Sequence, residues 1–342
     1  MACHIQAAPD SPERLLTAAG HGDCRQTVAN QTHPRRATHQ RSRHFRRGVL
    51  VVDLDLEAPG LGNLLLDDER MPRLGVVDFL VEDGLNGIQD ADLPEFVGTS
   101  ALTKGEGGRV DVVPALGRQS MDHPENILPK LARAMIEDVT DQGESVSVGS
   151  QISTMIARLA AQAGYDVVLI DSRAGLAELA APAVLGLGAT VLLFGTAQKQ
   201  TVQGYRALFA ALRLLALRDR AAGRDADWRL MLKPVYAKAS LDPQVSARYR
   251  DEWYDLFAEY LYDAEENAGE SDLNFDIDDD SAPHWPLVIP FNQSFVDFDS
   301  SRAPDQLLQG FYELTFRPFL DQVDAIIAMS ATDNAQSMRE PL

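Results

Sequence analysis

The sequence predicts an α/β protein built on one doubly wound, mostly parallel sheet with helices on both faces. Three observations predict it: short continuous apolar runs recur along the chain, helical patterns alternate with them, and no linker divides the chain into two cores. The first run is Val49-Leu-Val-Val-Asp53, a strand buried on both faces that ends in an acid. Similar runs follow at Val110 to Pro114, Asp166 to Asp171, Thr190 to Phe194, Trp228 to Val235 and Pro286 to Pro290. Between them the helical period fits Leu74 to Val81, Asn126 to Val139, Gln151 to Ala163, Glu178 to Leu185, Val202 to Arg220, Val245 to Tyr262 and Asp305 to Met329. Strands that alternate with helices in this way imply right-handed βαβ crossovers.

Composition sets the limits of this domain. The 342 residues carry 31 Lys+Arg against 51 Asp+Glu, a formal charge of -20. A surface this acidic repels phosphate backbones and anionic lipid. Residues 1–48 stand apart, with eight Arg, no Lys and three acids (+5), while the remaining 294 carry 23 bases and 48 acids (-25). No period fits between Gly20 and Gly48, so residues 1–47 are expected to be disordered or non-native, 48–330 to form the domain, and 331–342 to be a flexible tail. The abrupt change at Gly48 suggests a misread frame or misassigned start upstream of it. Two cysteines, Cys3 and Cys24, exclude a disulfide framework and a cysteine zinc site. The opening residues hold no apolar run of signal-peptide length, and nothing later approaches the roughly 18 apolar residues of a membrane span, so a cytoplasmic protein is expected. Asp263 to Asp280 holds nine acids and no base but lacks the spacing and central Gly of a calcium loop, so it reads as a solvated acidic loop.

Ligands of open parallel sheets bind beyond the carboxyl ends of the strands. Two segments place acids there: Val51-Val-Asp53-Leu-Asp55-Leu-Glu57-Ala-Pro59-Gly60-Leu61 and Tyr165-Asp-Val-Val-Leu-Ile-Asp171-Ser-Arg173-Ala-Gly175. A carboxylate at a strand end can hold magnesium through water, and a Gly four residues on lets a backbone N–H approach a phosphate. The same two acids could instead cap the helices that follow them.

Val49 to Leu61 resembles the switch I segment of the ParA/MinD-like, deviant Walker A ATPases, and Tyr165 to Gly175 resembles their switch II. Asp-Leu-Asp-Leu-Glu-Ala-Pro-Gly-Leu and Asp-Ser-Arg-x-Gly are closest to the bacterial branch whose P-loop reads Lys-Gly-Gly-Val-Gly-Arg, although ParA and MinD themselves usually have Pro at the position of Arg173. Gly108 to Ala115, Gln198 to Gly204 and Val288-Ile-Pro290 agree with it as well, so the resemblance spans roughly residues 48 to 325. It implies a P-loop NTPase-like fold of the SIMIBI class and ATP and magnesium as cofactors. Asp53 and Asp171 would order the magnesium ion, Asp55 would orient the attacking water, and Gly175 would contact the terminal phosphate. Lys233, Pro234, Pro290 and Phe291 would lie where base-binding loops leave their strands.

The family's P-loop is expected about 25 residues before Asp53, where this chain reads Cys24-Arg-Gln-Thr-Val-Ala-Asn-Gln-Thr-His-Pro-Arg-Arg, with no Gly between Gly22 and Gly48. The fold is therefore expected to lack its first strand, P-loop and first helix, and ATP affinity is expected to be weak without the loop's N–H groups and Lys. Lys104-Gly-Glu-Gly-Gly-Arg109 imitates the loop but precedes a strand instead of following one, which makes it a surface turn. The resemblance implies an ATP-binding and hydrolysing dimerisation switch that regulates or positions a protein partner, forming a nucleotide-dependent homodimer. The alternative is an inactive interaction domain of the same fold without nucleotide. No specific nucleic acid and no membrane is expected, because the domain is acidic and Asp305 to Met329 has Arg317 as its only base.

Overall fold

The computed structural model describes residues 2–7, 15–19, 48–101, 108–139, 143, 145–172, 189–263, 273–296 and 309–337. The strands are β1 (Ala2–Ala7), β2 (Leu15–Ala19), β3 (Gly48–Asp53), β4 (Gly98–Thr99), β5 (Arg109–Val113), β6 (Asp138–Val139), β7 (Ser145–Val146), β8 (Val167–Ser172), β9 (Thr190–Gly195), β10 (Leu232–Ala239) and β11 (Leu287–Pro290). The α-helices are α1 (Leu61–Leu65), α2 (Val76–Asn86), α3 (Arg118–Asp122), α4 (Ile127–Ala134), α5 (Val148–Ala163), α6 (Lys199–Ala221), α7 (Pro243–Tyr260) and α8 (Gln309–Ser337). Nine strands form one sheet in the order β11-β10-β9-β2-β1-β8-β3-β5-β4, and β6 and β7 form a separate hairpin.

The apolar runs became strands because each is covered twice. Val51, Val167, Leu169, Leu192 and Phe194 pack with Leu61 and Leu65 of α1 and with Phe316, Phe319 and Val323 of α8. Their sequence neighbours Leu50, Val52, Val168 and Ile170 point the other way, onto α2 and α5. Farther along, Val191, Leu193 and Tyr236 meet α6 and α7 through Phe209, Trp253 and Phe257. Alternation at period two with apolar residues on both sides produces the continuous runs seen in the sequence. Helix ends follow local chemistry: the Ser147 side chain accepts the Ser150 N–H to start α5, and Gly164 ends it at φ 61, a left-handed conformation that suits glycine.

Three expectations change. The centre of the sheet is not empty: β1 and β2 lie between β8 and β9, with β2 parallel to β9 and β1 antiparallel to β2, β8 and β9. Both strands, Ala-Cys-His-Ile-Gln-Ala and Leu-Leu-Thr-Ala-Ala, are short and fall within the segment expected to be disordered or non-native. Second, the strand expected from Trp228 starts at Leu232, because Asp227–Met231 form a 3-10 turn. There the Trp228 indole N–H donates to Asp219 at 3.3 Å and the Arg229 guanidinium donates to the Ala226 and Leu261 carbonyls at 3.0 and 2.7 Å. Those bonds fix a turn that an apolar count cannot see. Third, α8 continues to Ser337, through part of the segment expected to be a tail. The helix expected at 178–185 and the Gly-rich turn at 104–107 lie outside the described residues. No helix among the described residues is long and apolar enough to cross a membrane.

Candidate functional site

The two motif acids meet at the carboxyl end of the parallel strands. β3 and β8 pair in parallel register from Val49 with Val167 to Asp53 with Asp171. The Leu54 N–H continues the ladder to the Asp171 carbonyl at 2.6 Å. Asp53 and Asp171 share the alternate set of Val51 and Leu169, which pack beneath α1 and α8, so both carboxylates project from the same face of the sheet. Each residue is only 1% exposed.

The loop after β3 closes around Asp53. Its Oδ1 accepts the Asp55 N–H at 3.1 Å, and its Oδ2 accepts the Gly60 and Leu61 N–H groups at 3.3 and 3.1 Å. The last two are the N-cap and the first residue of α1, so the Asp53 carboxylate lies at the amino end of that helix. Burial nevertheless outweighs these three bonds, and with a contribution from the Asp55 charge the carboxyl is pushed up from 3.8 to about 6. Asp55 is also buried, and its Oδ1 accepts the Ala58 N–H at 3.1 Å to close a turn. The N–H groups of Ala58 and of Gly60 and Leu61 thus hold Asp55 and Asp53 respectively. Gly175 lies outside the described residues.

The other four candidates divide between the two ends of the sheet. Pro290 ends β11 opposite Ala239, and the Phe291 N–H donates to the Ala239 carbonyl at 3.0 Å. Both therefore sit on the carboxyl rim, with Phe291 half exposed. Lys233 and Pro234 do not leave a strand there. They are the second and third residues of β10, at the opposite end of the sheet from Asp53 and Asp171. The Lys233 Nζ donates to the Ala282 and Ser281 carbonyls at 2.9 and 3.4 Å, and burial pulls its ammonium down to about 8. The cause of the misplacement is the turn at Asp227–Met231, which delays the strand.

What β10 does bring to the rim is Lys238, at φ 54, beside a register irregularity between Tyr236 and Ala239. A positive φ in a non-glycine residue is uncommon and costs energy. Tyr236 stacks on Tyr249 at 4.2 Å, and its hydroxyl accepts the Ser240 N–H at 3.2 Å. At the end of β9, a Cβ on Gly195 would lie 2.5 Å from Thr201 Cγ2 and 2.7 Å from Tyr249 Oη, so only glycine fits. Sequence reasoning missed Lys238 because neither its backbone angle nor its place in the strand is legible in Tyr-Ala-Lys-Ala. A cavity of about 410 Å³ lined by Arg70, Gly98, Thr99 and Arg109 lies at the β4 edge, away from the acids.

The chemistry of the donor set bears on magnesium and on a triphosphate separately. Asp53 and Asp171 are two adjacent carboxylates on one face, which could meet a magnesium ion only through its waters; among the described residues no group of three His, Cys, Asp or Glu could hold a metal ion. The phosphates would need convergent N–H groups and a cation, and the sequence between Gly22 and Gly48 offers no glycine.

No family model matches the chain, and no curated protein matches it. Among solved structures, pNOB8 ParA bound to nonspecific DNA is similar at a TM-score of 0.45 and 14% identity, covering 84% of this chain and 89% of that one. A second structure of pNOB8 ParA gives 0.42 and 13%, over 86% and 90%. Protein DIP2308 from Corynebacterium diphtheriae gives 0.34 and 12%, over 77% and 90%. These are likenesses of overall arrangement at low identity, and the site is read from this chain's own residues.

Proposed function

We propose that this chain is a ParA/MinD-like protein of the deviant Walker A class, a P-loop ATPase by type, that works as a nucleotide-linked dimerisation switch on a protein partner. One observation carries the reading: Asp53 and Asp171 are register partners at the carboxyl rim, buried on one face, with Asp55 held in the turn between Asp53 and α1. In this reading Asp53 and Asp171 order the waters of a magnesium ion, Asp55 orients the attacking water and Gly175 approaches the terminal phosphate. ATP supplies the phosphoryl chemistry when bound. Affinity is weak, because the phosphate-cradling loop is not written in the sequence. The acidic domain favours a protein partner over nucleic acid or membrane.

A specific observation favours a second reading, an interaction domain that works without nucleotide. The Asp53 carboxylate already accepts three backbone N–H groups, and β1 runs antiparallel beside the Asp171 strand. A thermal-shift titration with magnesium and ATP separates the two. A ligand at 100 times its dissociation constant adds about 2.7 kcal/mol, so the switch reading expects a rise in Tm that disappears in Asp171→Asn. No rise at any ATP concentration selects the second reading.

A further inference from the structure

A second polar cluster lies at the amino end of β10 and takes no part in the rim. His284 is 0% exposed. Its Nδ1 lies 2.6 Å from the Tyr262 hydroxyl and its Nε2 lies 3.2 Å from the Ile277 carbonyl oxygen. A carbonyl only accepts, so the Nε2–H donates to Ile277 and Nδ1 accepts from Tyr262. The neutral ring is thereby fully used. Tyr254, Phe257 and Tyr262 wall it at 5.1, 6.4 and 5.8 Å between ring centroids.

The charged groups around this ring come from three elements. β10 contributes Lys233, bonded to the Ala282 carbonyl two residues before the imidazole. α7 contributes Arg250, which lies 5.0 Å over the Trp285 ring and pairs with Asp251 and Asp278. The segment itself contributes Asp279, whose carboxylate accepts the Ser281 N–H and hydroxyl at 2.9 and 2.6 Å. Burial is the largest influence and disfavours the imidazolium. The two nearby cations add to it, while the Ile277 bond and Asp279 oppose, leaving His284 below its ordinary value. The closed segment therefore holds His284 uncharged, and an opened segment would let it take a proton.

We propose that His284 is an acid-sensitive latch: uncharged, it fastens residues 273–286 to the end of α7, and its protonation releases that segment and loosens β11, which follows directly. The switch is local, since the ring joins the segment to α7 and Tyr262 and not to the acid rim. Opening takes up one proton, so the opening equilibrium grows by up to about tenfold per pH unit below the ordinary imidazole range.

Hydrogen exchange on the full chain from about pH 7.5 to about pH 5 tests this, with rates corrected for intrinsic exchange. The expected result is a progressive loss of protection in residues 277–285 while β3 and β8 stay protected. His284→Gln keeps a donor and an acceptor but cannot titrate, so its protection stays level with pH. Tyr262→Phe removes a donor to the neutral ring in the closed state, so protection of residues 277–285 starts lower at about pH 7.5 and its further loss toward about pH 5 is shallower than in the wild type. Unchanged protection in the wild type down to about pH 5, or the same loss in His284→Gln, overturns the latch. If His284→Gln fails to fold, Tyr262→Phe decides alone, and a pH dependence as steep as that of the wild type overturns it.

Discussion

At the carboxyl rim Asp53 is a buried acid among backbone donors, whereas at the amino end of β10 Lys233 is a half-buried base among backbone acceptors. Burial acts on both in the direction that disfavours charge, pushing Asp53 up to about 6 and Lys233 down to about 8. The backbone bonds respond differently. Asp53 receives three N–H groups from a turn that its own motif builds, while Lys233 reaches across 48 and 49 residues of sequence to Ser281 and Ala282. One site is local and readable from a motif, and the other exists only once the chain has folded.

The largest expected effect tests the packing behind the amino end. Phe257 is 0% exposed and touches the rings of Phe209, Trp253, Tyr262 and His284, so Phe257→Ala is expected to cost about 3 to 5 kcal/mol in urea unfolding. Asp53 comes next. Its folded value lies above its unfolded value, so the folded state binds the extra proton and wild-type stability falls as pH rises from about 4 to about 6, by up to roughly 3 kcal/mol. Asp53→Asn should remove that slope in pH-dependent denaturation; a slope that persists would assign it to other groups.

Lys233 gives the opposite sign. Its folded value is lowered, so wild-type stability rises as pH rises above about 8, by roughly 2 kcal/mol after allowance for partial exposure. Lys233→Met should flatten the curve between about pH 8 and about pH 9.5, below the range in which tyrosines ionise. The smallest effect belongs to neither end: Ser147→Ala removes the cap of α5 and is expected to cost about 1 kcal/mol at every pH.

Strands buried on both faces were legible because Leu50 and Val51, or Ile170 and Leu169, belong to opposite clusters and both must be apolar. The adjacency of Asp53 and Asp171 was legible for a similar reason, since parallel strands of one sheet end at one rim. Lys233 was assigned to the wrong end because Trp228 and Arg229 form a turn with side-chain bonds to Asp219, Ala226 and Leu261, the last of them 32 residues away. His284 gave no signal, because its partner Tyr262 is 22 residues away and its charge state is set by rings from α7. β1 alternates apolar and polar residues over only six positions and β2 is only five residues long, and the polar, Arg-rich stretch that follows them hides both strands at the centre of the sheet.

The shared acid rim is tested most directly by the electron paramagnetic resonance of manganese used in place of magnesium, titrated into the full chain with ATP. The rim account predicts ATP-dependent manganese binding that weakens by about tenfold or more in Asp171→Asn, with the unfolding transition retained. Equal manganese binding in the wild type and in Asp171→Asn would contradict it.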